Sequence, residues 1–231
     1  MKNIFSNILK FIKSTYFIHC CVVIMIIMDI VALSITTNEI NKNNTAIQTT
    51  TDYIKDIYVS RLESEFVAAR EQLADEIDLY IKTVAPKAVV NSLVLIDYCT
   101  EYCVDIKFVL AQGHLESHFA TKGTAAKTNS IFNVGAYDGH SADQQRRNGF
   151  GYTHPDHSIE PYLKLLINDY LIDGKTEIDL LNNYVNHDNK RYASDENYET
   201  MLKSIYNNID NIANISDTYE TYIMCKIKLG R

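Results

Sequence analysis

Glu116 is the carboxylate in this chain best placed for acid–base chemistry, within "AQGHLESHFATKGTAAKTNSIFNVG", residues 111–135. His114 and His118 flank it. If this stretch is helical, at about 100° per residue, Glu116 lies about 200° from each histidine, so the histidines share one face and the carboxylate points away. Gln112, four residues before Glu116, lies on its side of the helix. The sequence therefore predicts a carboxylate accompanied by an amide and separated from both histidines.

A carboxyl group that protonates a leaving oxygen needs a partly apolar cleft, because such surroundings raise its pKa. Leu115, Phe119 and Phe132 can supply them. A solvated glutamate at the end of a helix is the alternative that the residues alone leave open.

A metal site built on "HLESH" is the competing interpretation. Zinc proteases place Glu directly after the first His, whereas here it comes second, and no third ligand is fixed by the sequence. Neither a G-x-S-x-G elbow nor a phosphate-binding or dinucleotide-binding glycine pattern occurs. We therefore expect no metal and no cofactor.

Residues 16–35, "YFIHCCVVIMIIMDIVALSI", are the most apolar stretch, and about 20 helical residues span a bilayer. Asp29 opposes insertion by roughly 2.5–3.5 kcal/mol, whereas each Ile, Val or Leu favours it by about 0.3–0.6 kcal/mol. Within residues 1–35 the three lysines, Lys2, Lys10 and Lys13, all precede the run, which predicts a cytoplasmic N-terminus and an exported domain. Ala32 and Ser34 also fit the cleavage site of a signal peptide. We favour a transmembrane anchor within residues 1–35, and both interpretations place the domain outside the cytoplasm.

The charge distribution argues against nucleic acid as a partner. The chain of 231 residues has a net charge of −7, and residues 1–35 carry three lysines and one aspartate, a net charge of +2. The remainder therefore carries −9, whereas nucleic-acid binding calls for a basic surface.

The rest of the chain is predicted to be mostly α-helical. Residues 36–52 are polar and are predicted to form a linker. Apolar residues then recur every three or four positions over 53–86, which predicts a long amphipathic helix whose stripe is a core face, or a seam for self-association or virion contact through residues 53–84. Further helices are predicted at 88–102, from Asp105, and at 158–173, 177–185, 195–209 and 212–229. Residues 120–157 are predicted to be an irregular surface region.

Three blocks in order resemble the glucosaminidase family of peptidoglycan hydrolases: "LAQGHLESHF" (110–119), "TNSIFNVGAYDG" (128–139) and "RYASDENYETMLKSIYNNI" (191–209). They are similar to the family pattern "AQxxLES…NNLFGIK…YATDPxYxxKL", and the middle block is closer to phage-encoded versions. The resemblance implies a lysozyme-like helical domain over 87–231 that cleaves the peptidoglycan glycan strand at N-acetylglucosamine.

The resemblance also implies roles for individual residues. Glu116 occupies the general-acid position, and Tyr192 the position of a tyrosine beside the cleft. Asn129, Phe132 and Asn133 occupy the positions that line the floor of the cleft. Gln112, on the Glu116 side of its helix, is a further candidate for substrate binding.

Two features leave the mechanism open. The family's Lys is missing from "NSIFNVG", and no match fixes a second carboxylate. Asp138 is the first choice, ahead of Asp143, Asp156 and Glu160, and the substrate's own N-acetyl group is another candidate nucleophile. The alternatives for function are a lytic transglycosylase on the same fold and a non-catalytic virion or membrane protein with a decayed hydrolase domain.

Overall fold

The computed structural model of the chain describes residues 2–133, 151–182, 184–185 and 191–231. Helices dominate these ranges, which contain no β-strand; Val185 and Arg191 form an isolated antiparallel bridge. The predicted mostly α fold class is confirmed. In chain order the α-helices are α1 Lys2–Val84, α2 Ser92–Glu101, α3 Ile106–Ser117, α4 Ala125–Thr128, α5 Ile159–Leu165, α6 Glu177–Leu180, α7 Tyr198–Asn208 and α8 Ile215–Lys228.

The chain divides into two compact units, Met1–Ser60 and Arg61–Arg231, and α1 contributes residues to both. In the first unit the large apolar side chains between positions 22 and 35 are exposed. Among the described residues, the helical segment Val22–Val84 is long and apolar enough to cross a membrane by length and composition, a test that an N-terminal signal sequence also passes.

The structure differs from the predicted linker over residues 36–52, because this segment is helical and continuous with the rest of α1. Its threonines explain how so polar a stretch remains in a helix. The hydroxyl groups of Thr45, Thr49, Thr50 and Thr51 each donate to the carbonyl four residues earlier, at about the same distance of 2.9 Å. Composition alone indicates a loop here, whereas these local bonds satisfy the side chains within the helix.

The second unit begins earlier than the predicted domain boundary at residue 87. Its core includes the stripe of α1 formed by Ala69, Leu73, Ile77, Tyr80 and Ile81. This part of the predicted amphipathic helix is therefore a core face. Tyr53, Ile54 and Tyr58, in the first unit, are exposed, and self-association through them remains a prediction.

Side-chain caps set the starts of α2 and of α3, the helix that carries Glu116. Asn91 accepts hydrogen bonds from the backbone N–H groups of Leu93 and Val94, so α2 begins at Ser92. Asp105 accepts from the N–H of Lys107 and begins α3, as the sequence predicts. Such caps satisfy backbone donors that have no partner inside the helix.

Ser158 stands at the N-cap position of α5, but its side chain makes no capping hydrogen bond. A 3₁₀ turn, Pro155–Ser158, precedes α5, and a π-helical turn, Leu166–Tyr170, follows it. The buried Ser158 hydroxyl donates to the carbonyl of Pro155 and accepts from the N–H of Ile131 at 3.0 Å. Its role is therefore to join this turn to the segment that follows α4.

The packing of α1 predicts a large difference between two neighbouring apolar residues. Ile77 is fully buried, whereas Leu79 is 50% exposed. Ile77→Ala should lower the free energy of unfolding by about 2–5 kcal/mol, because it leaves a cavity in the core. Leu79→Ala, the control, should change it by less than about 0.5 kcal/mol. Chemical denaturation of both full-length variants measures this, and equal effects would contradict the core assignment of α1.

Candidate active site

Helix α3 ends one residue after Glu116 in a left-handed turn. His118, Phe119 and Ala120 have φ angles of 47°, 56° and 62°. Residues with a β-carbon rarely adopt this conformation, which costs roughly 1–2 kcal/mol per residue. The surrounding structure must therefore hold the turn in place.

Two contacts fix the turn. The Ser117 hydroxyl donates to the carbonyl of Ile131 at 2.6 Å and accepts from the N–H of Ala120 at 2.7 Å. Phe119 folds back onto Gly113, where an added β-carbon would lie 3.0 Å from both the Phe119 and Ile131 side chains. Gly113 thus serves the packing of buried side chains that lock the end of α3.

The Glu116 carboxyl group meets α7 through a hydrogen bond. The Tyr198 hydroxyl donates to Glu116 Oε1 at 2.6 Å, and Gln112 Nε2 donates to the Tyr198 oxygen at 3.2 Å. The Tyr162 hydroxyl, from α5, donates to Gln112 Oε1. Asn133 Nδ2 donates to the backbone carbonyl of Glu116 at 2.9 Å. Residues from three helices and one loop therefore converge on this glutamate.

The surroundings of Glu116 favour its protonated form. Burial raises the pKa of the Glu116 carboxyl group, and the hydrogen bonds from Tyr198 and Asn133 act in the opposite direction but do not cancel it. The side chain remains half-buried rather than sealed off. A carboxyl group that keeps its proton above the usual pH range and still reaches solvent is suited to general-acid chemistry.

Tyr192 lies near Glu116, behind Tyr198. Its ring is 5.4 Å from that of Tyr198 and 4.7 Å from that of Tyr170. Burial raises the pKa of Tyr192, and the charge of Glu116 adds to the effect. Sequence reasoning chose Tyr192 and missed Tyr198 as the hydroxyl that binds the carboxyl group. The second tyrosine of the "YASDENY" stretch, at the position of the second Tyr in the family pattern, was the available signal.

Of the other predicted site residues, some bind Glu116 directly or through a tyrosine, and others make their contacts elsewhere. Asn133 binds it directly, and Gln112 is fully buried beneath it, bound to two tyrosines. Phe132 is also buried and stacks on Tyr162 at 3.8 Å. Asn129 donates instead to the backbone carbonyl of Tyr152 at 2.8 Å. Their contact with substrate stays a prediction.

Two of the four candidates for the second carboxylate, Asp138 and Asp143, lie outside the described residues. The other two are engaged elsewhere. Asp156 accepts from the N–H of Asn91 at 2.9 Å. Glu160 accepts from the Tyr102 hydroxyl and pairs with Lys164, whose hydrogen bond lowers the pKa of Glu160. Neither is among the groups that influence the pKa of Glu116.

His118 is the residue just past the end of α3, and its ring lies beside that of His114, with ring centroids 4.7 Å apart. A 2.7 Å hydrogen bond joins His114 Nδ1 to the Tyr80 hydroxyl. Burial, together with the charges of His118 and Lys122, lowers the pKa of His114 to about 4, so this imidazole is neutral near pH 7. The described residues contain no group of three or more His, Cys, Asp or Glu side chains that could hold a metal ion.

A family model for glucosaminidases, described as mannosyl-glycoprotein endo-beta-N-acetylglucosaminidase, matches residues 94–211, about half of the chain. The chain belongs to the glucosaminidase family. The match covers Glu116, Gln112, Tyr162 and Tyr198, and it agrees with a lysozyme-like helical domain. No curated protein and no solved structure matches the chain significantly. Family membership supports glycoside hydrolase activity on peptidoglycan.

The raised pKa of Glu116 predicts a pH-dependent gain in stability for Glu116→Gln. Between the unfolded and folded pKa values the native state binds more protons, so the stability of the unmodified chain falls as pH rises through this window. Gln keeps the shape and has no charge to bury. The variant should therefore match the parent below about pH 4 and exceed its melting temperature increasingly above it.

Thermal unfolding from about pH 3, below the ordinary pKa of a glutamate, to about pH 8 tests this expectation. Glu101→Gln, at an exposed position on α2, is the matched control and should show no such gain. A constant difference between Glu116→Gln and the parent over the whole range would contradict the assignment of a raised pKa.

Proposed function

We propose that this protein is an endo-β-N-acetylglucosaminidase that hydrolyses the peptidoglycan glycan strand with Glu116 as general acid. The observation that carries the proposal is the half-buried Glu116 carboxyl group, whose pKa is raised by burial and whose Oε1 accepts from Tyr198 within the matched family domain. Fold alone would not support an activity, whereas a positioned acid of suitable pKa does.

Glu116 would supply the proton that the leaving oxygen needs. As the bond between the anomeric carbon of N-acetylglucosamine and the bridging oxygen breaks, the carboxyl proton passes to that oxygen and a new hydroxyl group forms. Positive charge then develops on the sugar ring. A nucleophile completes the reaction at the anomeric carbon, and water ends in the product as the new reducing-end hydroxyl.

Two routes to that nucleophile stay open. The first, which we propose, is a water molecule activated by the Asp138 carboxylate, and the second is the N-acetyl group of the substrate. A carboxylate that activates water stands about 6.5–9.5 Å from the acid and inverts the anomeric configuration. If instead the N-acetyl group of the substrate attacks, the configuration is retained and Asp138→Asn remains active. Measuring the anomer released immediately after cleavage separates the two.

Glu116→Gln should lower the rate of peptidoglycan hydrolysis by about 10²–10⁴-fold, because Gln preserves the shape but cannot donate the proton. The measurement is digestion of purified peptidoglycan by the full chain in detergent, with new glycan ends identified by mass spectrometry. Glu101→Gln is the matched control and should keep the parental rate.

The same experiment tests the rival functions. New reducing N-acetylglucosamine ends support the proposal, whereas anhydro-muramic ends would indicate a lytic transglycosylase. A parental chain that cuts no peptidoglycan would favour a structural virion or membrane role. Glu116→Gln with parental turnover would overturn the role of Glu116.

We further propose that the N-terminal apolar segment tethers the glucosaminidase domain on the extracytoplasmic side. The exposed apolar side chains of residues 22–35 and the preceding lysines support this topology. The substrate, which lies outside the cytoplasmic membrane, agrees with it. If the protein is phage-encoded and associated with the virion, the chain should be detected by mass spectrometry in purified phage particles.

Protease added to intact spheroplasts that express the full chain should remove the domain. Complete protection until the cells are lysed would contradict the topology. Release of a free domain into the medium with a new N-terminus near Ile35 would instead identify the segment as a cleaved signal peptide. A cytoplasmic protein of the same cells serves as the control for membrane integrity.

A further inference from the structure

A buried row of polar groups leads from α5 through α3 to the Glu116 carboxyl group. Tyr162 and Gln112 are 2% and 0% exposed, and Tyr198 is 8% exposed. Polar groups this deeply buried must find hydrogen-bond partners, and here the partners are one another. Apolar residues at these positions would pack without that requirement, so the row calls for a function.

The donor and the acceptor in each hydrogen bond of this row follow from the single proton that each tyrosine hydroxyl carries. The Tyr162 hydroxyl donates to Gln112 Oε1, which fixes the orientation of the amide and turns Nε2 toward Tyr198. A tyrosine hydroxyl has one proton and can also accept. Because the Tyr198 oxygen accepts from Gln112 Nε2, its own proton is available for Glu116 Oε1.

The opposite amide orientation would turn the Tyr198 proton away from Glu116. With Oε1 turned toward Tyr198, the Tyr198 hydroxyl would donate to the amide instead of to Glu116 Oε1. The contact between Tyr162 and Gln112 does not touch the acid, but it decides whether Glu116 receives the hydrogen bond from Tyr198.

We propose that Tyr198 is a positioning residue for Glu116, and that Tyr162 and Gln112 direct its hydroxyl proton onto Oε1, leaving Oε2 as the oxygen that carries and delivers the acid proton. This inference rests on the proposed role of Glu116 as general acid. It assigns each of the two carboxyl oxygens a separate task, one held by the protein and one used in the reaction.

The groups that face Glu116 from the described elements do not titrate in the working range. They are Tyr162 from α5, Tyr192 from the segment before α7, and Tyr198 from α7. Burial raises the pKa of each, and the negative charge of Glu116 contributes in every case. All three are therefore neutral donors or acceptors while Glu116 gains or loses its proton, and the fall in activity at high pH reports Glu116.

Removal of the Tyr198 hydroxyl should raise the pH at which activity falls. The Tyr198 hydroxyl stabilises the charged carboxylate, so its removal raises the pKa of Glu116 further. A general acid works while it is protonated, and activity falls as pH rises through its pKa. The descending limb of the pH profile should therefore shift upward by about one pH unit in Tyr198→Phe, together with a loss in rate from poorer positioning.

The test compares three Tyr→Phe variants of the full chain, each lacking one hydroxyl. Tyr198→Phe removes the donor, and Tyr162→Phe removes the group that orients the amide. Tyr184→Phe is the matched control, because Tyr184 is 2% exposed but donates to the backbone carbonyl of Tyr170. Initial rates on purified peptidoglycan below saturation, measured against pH, report the essential acid of the free enzyme.

We expect the upward shift in Tyr198→Phe, a smaller shift in the same direction in Tyr162→Phe, and no shift in Tyr184→Phe. A rate loss in Tyr198→Phe with an unmoved descending limb would overturn the proposal, as would an equal shift in the control. If Glu116→Gln is inactive while the descending limbs of the parent and Tyr198→Phe coincide, only the positioning role of Tyr198 is wrong. If Glu116→Gln is active, the proposed role of Glu116 as general acid is wrong.

The unmodified protein offers a measurement that does not depend on the folding of any variant. A Tyr198 hydroxyl proton shared with a carboxylate should exchange slowly and give a downfield proton NMR signal that moves as Glu116 titrates. The absence of such a signal across the titration, in protein that remains folded and active, would overturn the proposal.

Discussion

The hydrogen bond from Tyr198 to Glu116 joins two helices that are far apart in the sequence and places a carboxyl group where burial and hydrogen bonding oppose each other. Burial alone would leave the carboxylate too costly to form, and full exposure would leave an ordinary glutamate. The Tyr198 hydroxyl, which donates to Glu116 Oε1 at 2.6 Å, opposes the effect of burial and holds the pKa of Glu116 between these limits. The left-handed turn after α3, the packing around Gly113 and the start of α7 at Tyr198 all serve to bring these two side chains together.

The same turn of α3 supports two chemically distinct surroundings. On one side Glu116 and Gln112 meet the tyrosines of α5 and α7. On the other, His114 binds Tyr80 of α1 and contacts His118. The "HLESH" stretch is therefore not one functional group of residues. The helix separates Glu116 from His114, the left-handed turn after it places His118 beside His114, and Gly113 allows buried side chains to pack closely against the helix.

Sequence alone predicted what depends on local geometry. The separation of Glu116 from His114 needs only the period of a helix, and the predicted start of this helix at Asp105 needs only one side chain and a nearby backbone N–H group. The choice between Tyr192 and Tyr198 could not be made in this way, because it depends on where α7 begins and how it meets α3. The start of the second unit at Arg61 was likewise hidden, since an amphipathic stripe does not say which partner covers it.

The stacking of Phe66 on Tyr222, with ring centroids 5.3 Å apart, brings α1 and α8 together within the second unit. The carboxylate of Glu76 also accepts from the backbone N–H of Asn214, just before α8. These contacts join segments that a ribosome synthesises well apart in time. The helices that carry Glu116 and Tyr198 both precede α8, so the acid and its donor are made before the domain can close. Under the proposed export, the chain would complete this core, and with it the site, only after nearly all of the domain has crossed the membrane.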